Sequence, residues 1–160
     1  MPTSVEHAKR IRTSLYWFDN AAPDPRHCLN QMVCEYFYTA LHMLECVAHD
    51  FPHLTNNVAD FDTHDQRHAM LGQLADLNPL KPMAEKYLAL YGLGRRARYL
   101  MQKRNSPVNP VKGWELAICV ESFNEVKNCI EMIYRSNGKT APWLAAPASA
   151  TVSAPAVTIK

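Results

Sequence analysis

The chain has 160 residues, 48% of them hydrophobic, a length and composition that suit one domain with a single core. Its formal net charge is only +2, so net charge alone favours no class of partner. No apolar run approaches the roughly 20 residues of a membrane span, and no basic segment followed by an apolar one opens the chain. We therefore predict a cytoplasmic protein that neither enters a membrane nor is secreted.

The charges are unevenly distributed along the chain. Seven acidic residues and one basic residue lie between positions 35 and 76, whereas seven basic residues and one acidic residue lie between positions 81 and 104. Such a separation favours an electropositive side that binds nucleic acid or another polyanion. The alternative is that the two segments face each other inside the fold.

Helical periodicity dominates the chain and predicts an all-α, up-and-down bundle of about five helices. Thr3 and Glu6 form a capping box that starts the first helix, which should end near Asp19. A second, central helix should run from Asp24-Pro25 to Phe51. Its predicted core face consists of apolar residues at helical spacing: Val33, Tyr36, Phe37, Ala40, Leu44, Val47 and Phe51.

Two further helices follow a polar loop. The third should start at Asp62 or Thr63 and end near Leu77, and the fourth should start around Lys81-Pro82. Gly92 and Gly94 interrupt the fourth helical pattern, at a cost of roughly 1 kcal/mol each relative to alanine. We expect a kink or a close approach of two backbones there.

The fifth helix should span residues 114–136 and stop at Asn137-Gly138. The remaining residues are rich in alanine, proline, serine and threonine and lack helical periodicity. We therefore predict a bundle domain over residues 1–138 and a flexible tail over residues 139–160. Trp143-Leu144 is the tail's only apolar anchor, and its docking on the bundle is the alternative.

Five cysteines form no Cys-x-x-Cys pair, and most of them lie in apolar helical patterns. This usage is typical of reduced thiols in the core of a cytoplasmic protein. The five are Cys28, Cys34, Cys46, Cys119 and Cys129.

The predicted third helix carries an unusual polar group. His64, Arg67 and His68 share a face with Leu71 and Leu74, so polar side chains continue a stripe that should be buried. That face requires a partner. It either binds a ligand or holds two helices together through bonds to a nearby aspartate or a backbone carbonyl.

About thirty residues later, the fourth helix carries a dense group of arginines, which we call the arginine segment: Arg95, Arg96, Arg98 and the adjoining Tyr99. Arg98 borders the apolar stripe of the helix and Arg95 lies on its flank, whereas Arg96 should point to solvent. Together with the third helix, this segment predicts a cleft for an anionic ligand.

Metal-free RNA cleavage requires a general base, a general acid and fixed positive charge near the phosphate. Histidine suits proton transfer near neutral pH, and arginine binds phosphate through two hydrogen bonds. We therefore predict His64, Arg67 and Arg98 as catalytic residues if the cleft cleaves RNA. The predicted binding residues are Arg95, Arg96, Tyr99 and His68. Anion binding without catalysis and a purely structural role are the alternatives.

The sequence favours no metal ion and no cofactor. His64 and His68 have a spacing that can chelate zinc, and His42, Glu45 and His49 lie along one face of the long helix. Zinc, however, needs at least three such residues to converge. The paired Glu-x-x-His motif of di-iron bundles is also absent from the sequence.

Four short segments resemble the HEPN superfamily of small helical bundles: Tyr36 to Glu45, His64 to Arg67, Tyr87 to Tyr91 and Arg95 to Tyr99. The resemblance covers roughly residues 24–136. It implies an aromatic-rich second helix in the core and pairing into a homodimer. The family's ribonuclease motif, an arginine followed after four to six residues by a histidine, does not occur here. A variant with His-x-x-Arg and Ala-Arg-Tyr matches instead.

What the resemblance implies about function follows the family. Its active members are mainly metal-independent ribonucleases, toxins or defence effectors, and others bind RNA or are inert partners of nucleotidyltransferases. We therefore expect binding of RNA or of a nucleotide-bearing partner, in a toxin-antitoxin, defence or phage-related system. The alternatives are a metal-independent endoribonuclease that uses the same cleft and a non-catalytic protein-interaction subunit.

Overall fold

A computed structural model describes residues 3–20, 25–55, 64–76, 81–102 and 111–145. Within them the chain forms a bundle of α-helices and no strand, which confirms the predicted all-α bundle of about five helices. None of the described helices combines the length and apolarity needed to cross a membrane. The helices are α1 Ser4–Asn20, α2 Pro25–Asp50, α3 His64–Asp76, α4 Lys81–Gln102 and α5 Gly113–Ser136, with a short 3-10 helix at Pro52–Thr55.

Local signals set the ends of two helices as predicted. The backbone N–H of Thr3 donates to the Glu6 carboxylate at 2.7 Å, and the Glu6 N–H donates to Thr3 Oγ1 at 3.4 Å, so the capping box is confirmed. Gly138 follows α5 with a φ of +66°, which glycine adopts without strain. The N–H of Lys139 then donates to the carbonyl of Tyr134 at 2.9 Å and closes the helix end.

The central position of α2 organises the bundle. It packs against α1, α4 and α5, whereas α3 packs against α4 and the 3-10 helix. The predicted core face of α2 is confirmed, because all of its members except the partly buried Tyr36 are buried. Because α2 is covered on several sides, polar groups on it must find partners on neighbouring helices.

Gly94 marks a close approach between α4 and α2. A Cβ atom placed on Gly94 would lie 2.7 Å from both Cβ and Cγ of Phe37, whereas one placed on Gly92 would meet no atom within 4 Å. The predicted close approach is therefore confirmed at Gly94. The helix itself continues through both glycines without interruption.

Residues 139–145, assigned to the tail from the sequence, pack on the bundle instead. Trp143 is only 4% exposed, its ring lies edge-on to Tyr134, and its indole N–H donates to Glu131 at 3.1 Å. Arg12 also donates to the carbonyl of Pro142 at 3.0 Å. The packed domain therefore extends beyond residue 138, because burial of one large aromatic ring offsets the entropy of ordering a short segment. The rest of the predicted tail lies outside the described residues.

The cysteine side chains that the structure describes are free and buried, as predicted: Cys34, Cys46, Cys119 and Cys129. Burial raises the pKa of Cys46 and of Cys119 to about 12. Both thiols are therefore protonated at neutral pH, and neither is an activated nucleophile. The side chain of Cys28 lies outside the described residues.

Candidate functional site

An open groove of about 510 Å³ runs between α1 and α2. It forms because side chains three and four residues apart on each helix lie on one face, and these two faces meet. Two exposed basic residues, Lys9 and Arg10, line it together with acidic, hydroxyl and aromatic groups. The complete lining is Glu6, Lys9, Arg10, Thr13 and Ser14 from α1 and Glu35, Tyr38, Thr39 and His42 from α2.

His42, which lines the groove, also belongs to a group of three titratable side chains, His7, His42 and Glu45. We call this group the histidine cluster. Nδ1 of His7 lies 2.9 Å from Nδ1 of His42 and 3.2 Å from Oε2 of Glu45. Nδ1 of His42 lies 3.1 Å from the same carboxylate oxygen. The side chains are 8%, 17% and 14% exposed, in that order, so the cluster is nearly withdrawn from solvent.

Arg67 from α3 completes the surroundings of the cluster. Its Nη2 donates to Oε1 of Glu45 at 2.8 Å, and its side chain is 15% exposed. The two oxygens of Glu45 are thus divided, with Oε1 on the arginine and Oε2 on the two histidines. Because this ion pair is mostly shielded from water, loss of one partner would leave the other charge buried and uncompensated.

The environment determines the protonation states within the cluster. Burial raises the pKa of Glu45, but hydrogen bonds from His42 and Arg67 and the nearby His7 outweigh it and hold the pKa below its usual value. Burial lowers the pKa of His7, and the neighbouring His42 acts in the same direction, against the attraction of Glu45. At neutral pH the cluster therefore contains an ionised carboxylate and a neutral His7.

Tyr87 of α4 is a further buried polar group near these charges. Its side chain is 1% exposed, and its hydroxyl has no hydrogen-bond partner among the described residues. Burial raises the pKa of Tyr87, the charge of Arg67 opposes that shift and the charge of Glu45 reinforces it. Tyr87 is therefore a neutral phenol on the α4 side of the ion pair.

The three arginines of the arginine segment point in different directions. Arg98 donates to the hydroxyl of Tyr38 at 2.7 Å, and Arg95 is exposed. Arg96 forms an ion pair with Glu115, so the prediction that it points to solvent is wrong. The start of α5 explains this pair, since Glu115 also accepts the N–H of Lys112 at 2.8 Å and is held beside α4.

The predicted cleft between α3 and α4 is only partly described. The side chains of His64, His68 and Tyr99 lie outside the described residues, so their predicted roles stay predictions. Arg67 and Arg98 both reach α2, where they bond to Glu45 and Tyr38. These partners are seven residues apart, about 10 Å along the helix. Both arginines thus support residues at or next to the α1–α2 groove.

Sequence reasoning missed His7 and grouped His42 and Glu45 with His49, on one face of the long helix. His42 and Glu45 do converge with a third ligand-type group, but that group is His7 rather than His49. His49 is 57% exposed and lies 3.6 Å from Asp50. One signal was present in the sequence: His7 precedes Ile11 by four residues, which places a histidine on the buried face of α1.

Comparisons of the chain with family models, with curated proteins and with solved structures gave no match. An all-α bundle hosts many unrelated functions, so the fold alone selects none of them. The resemblance to the HEPN superfamily and the homodimer that it implies therefore stay predictions. Functional assignment depends on the geometry of the groove and of the histidine cluster.

Proposed function

We propose that the protein binds RNA, or a nucleotide carried by a partner, in the groove between α1 and α2. The observation that carries this proposal is the groove itself, an open volume of about 510 Å³ with Lys9 and Arg10 on its rim. A nucleotide combines an anionic phosphate with a base that has donors and acceptors at its edge. A groove that combines basic, acidic and hydroxyl groups is chemically complementary to both parts.

Each wall of the groove has a distinct part in this proposal. Lys9 and Arg10 are exposed and consecutive, so they can contact successive phosphates of an extended strand. Glu35 offers a carboxylate acceptor for the amino group of a base. Tyr38 offers an aromatic ring, and the Arg98 guanidinium bonded to its hydroxyl adds positive charge on that side.

This proposal keeps the predicted class of ligand but changes the binding surface. The sequence-based cleft uses Arg67 and Arg98 as direct phosphate contacts, whereas both now act as positioning residues for α2. Arg95, which is exposed on α4, remains a candidate for an additional phosphate contact. RNA binding at the groove should therefore depend on α1 more strongly than on the arginine segment.

The test is binding of fluorescent single-stranded RNA to tag-free protein in EDTA, over a series of salt concentrations. We expect the Lys9→Ala/Arg10→Ala double variant to bind at least about tenfold more weakly and with a salt dependence reduced by about one to two contacts. Arg135→Ala, which removes an exposed base at the end of α5, is the matched control and should change affinity less than twofold. Equal affinity of the double variant and the wild type would reject the groove as the site.

A metal-independent endoribonuclease is the second candidate, and one observation favours it. Nδ1 of His42 lies 3.1 Å from Glu45, which would orient the ring, and His42 lines the groove, so its Nε2 is the candidate atom for proton transfer. Cleavage of RNA in EDTA by the wild type, reduced about 100-fold or more in His42→Ala but unchanged in His49→Ala, would support it. Absence of cleavage by folded wild-type protein would exclude it.

If the wild-type protein neither binds nor cleaves RNA, the predicted role as a protein-interaction subunit becomes the working hypothesis. Its assay is co-purification with a protein from the native host. A toxin-antitoxin, defence or phage-related setting would then be tested by the identity of that partner.

A further inference from the structure

The histidine cluster has the composition and geometry of a metal site. We propose that His7, His42 and Glu45 together bind one divalent transition-metal ion, and that zinc fits this set of ligands. The three ligand atoms are Nδ1 of each histidine and Oε2 of Glu45, and all lie within 4.8 Å of one another. This inference goes beyond the proposed function, because RNA binding in the groove requires no metal.

The distances support a tetrahedral ion. Bonds of about 2.0–2.1 Å to nitrogen or oxygen place the ligand atoms of a tetrahedral zinc ion about 3.3 Å apart. The three separations observed here are 2.9, 3.1 and 3.2 Å. Outward movement of a few tenths of an ångström would therefore admit the ion without rearrangement of the two helices.

Hydrogen bonding alone does not satisfy the three contacts. Each Nδ1 carries either one proton or one lone pair, and the ionised carboxylate has only lone pairs. If both histidines donate to Oε2, their two N–H groups crowd each other at 2.9 Å. If only one carries a proton on Nδ1, the other directs its lone pair at Glu45. At least one contact is therefore unfavourable, whereas a cation at the centre accepts all three lone pairs.

Arg67 provides the outer support that metal-binding carboxylates usually have. Its hydrogen bond to Oε1 fixes the orientation of Glu45, so that Oε2 faces the histidines. Two imidazoles with one carboxylate select ions such as zinc over magnesium or calcium, which prefer sites made of oxygen. Three protein ligands also leave a coordination position for water, as in catalytic zinc sites.

The test is titration of tag-free, chelator-treated full-length protein with Zn²⁺, followed by calorimetry and by the melting temperature. We expect one ion per chain and an increase of about 5 °C or more at saturating Zn²⁺. In the His7→Ala and His42→Ala variants the affinity should fall at least about 100-fold. His49→Ala, on the same helix as His42 but exposed, should bind as the wild type does.

Co²⁺ gives a second measurement that does not depend on stability. Its visible absorption should indicate a tetrahedral nitrogen and oxygen environment in the wild type and should be lost in Glu45→Gln. That variant keeps an acceptor for Arg67 and guards against misfolding of the alanine variants. Absence of saturable binding of Zn²⁺ by folded wild-type protein, or binding that His42→Ala and Glu45→Gln leave unchanged, would overturn the proposal.

The proposal of a metal site and the proposal of RNA binding in the groove can be rejected separately. Lys9→Ala/Arg10→Ala should lose RNA affinity and bind Zn²⁺ normally, because neither side chain belongs to the cluster. His7→Ala should lose Zn²⁺ and still bind RNA in EDTA, because His7 is buried behind the groove and is not part of its lining. A wild-type protein that binds Zn²⁺ but not RNA would refute the proposed function alone.

Discussion

The histidine cluster and the arginine segment are two polar regions of this bundle, and they are built in opposite ways. In the cluster, residues far apart in the chain converge from α1 and α2, with Arg67 added from α3. In the arginine segment, residues close together in the chain separate: Arg95 is exposed, Arg96 pairs with Glu115 and Arg98 donates to Tyr38. Neighbouring residues on a helix point in directions about 100° apart, and the different partners of Arg96 and Arg98 separate these two side chains further. A dense charge run in sequence is therefore not a dense charge patch in space.

The ion pairs between helices likewise join residues that are far apart in the chain. Among the described residues, two ion pairs join α4 to α5, namely Lys86 with Glu121 and Arg96 with Glu115. The basic residues between positions 81 and 104 are thus partly neutralised by acids of α5, which follow them in the chain. Glu45 instead pairs with Arg67, the one basic residue between positions 35 and 76 apart from histidine.

The largest expected effect is the loss of stability when the histidine cluster loses the carboxylate of Glu45. Glu45→Ala leaves the Arg67 guanidinium buried without its carboxylate, so the free energy of unfolding should fall by about 3–5 kcal/mol, measured by urea denaturation in EDTA. Glu121→Ala removes an exposed, solvent-screened ion pair and should change the free energy of unfolding far less. Similar losses of stability for the two variants would mean that the Glu45–Arg67 ion pair contributes no more than an exposed ion pair does.

The next largest effect concerns Gly94, which directly precedes the arginine segment and lies where α4 packs closely on α2. Gly94→Ala places a methyl group against Phe37, 2.7 Å from its Cβ atom, and should destabilise the fold by about 1–3 kcal/mol. Gly92→Ala, two residues earlier in open space, should stabilise the helix by about 0.5–1 kcal/mol. If thermal denaturation finds that both alanines stabilise, α4 and α2 are not in close contact at Gly94.

A smaller effect is expected for the link between the arginine segment and the groove. The hydrogen bond from Arg98 to Tyr38 should contribute about 1 kcal/mol, obtained from a double-mutant cycle with Arg98→Ala and Tyr38→Phe. The cycle isolates this bond from the other interactions of Arg98. Additive single-variant losses would show that the two residues do not act on each other.

The smallest expected effect is the dependence of stability on pH that arises from the histidine cluster. The folded-state pKa of His7 lies below its ordinary value of 6.5, so the stability that depends on neutral His7 is complete above that pH and declines as the pH falls. The pKa of Glu45 is also lowered, so the stability that depends on ionised Glu45 declines only as the pH falls below its ordinary pKa of 4.5. Between pH 7 and 5, in EDTA, the melting temperature of the wild type should therefore decrease more than that of His7→Gln. Parallel curves would contradict the burial of a neutral His7.

Local sequence was sufficient for the helices. The Thr3 and Glu6 capping box, the stop at Gly138 and the apolar face of α2 are all confirmed, because each signal acts through hydrogen bonds or spacing within one or two helical turns. The close approach at Gly94 was only partly predictable: glycine is disfavoured inside a helix and so suggests close packing, but Gly92 in the same helix meets no neighbour.

The site depended on the tertiary structure. His7 and His42 are separated by 35 residues, so their 2.9 Å contact follows from the packing and register of α1 on α2, which no local pattern encodes. The docking of Trp143 and the pairing of Arg96 have the same origin, since each needs a surface made by other helices. The sequence by itself determined where the helices begin, end and bury their apolar faces. Only their packing decided which polar side chains meet, because long-range contacts arise once the helices are placed together.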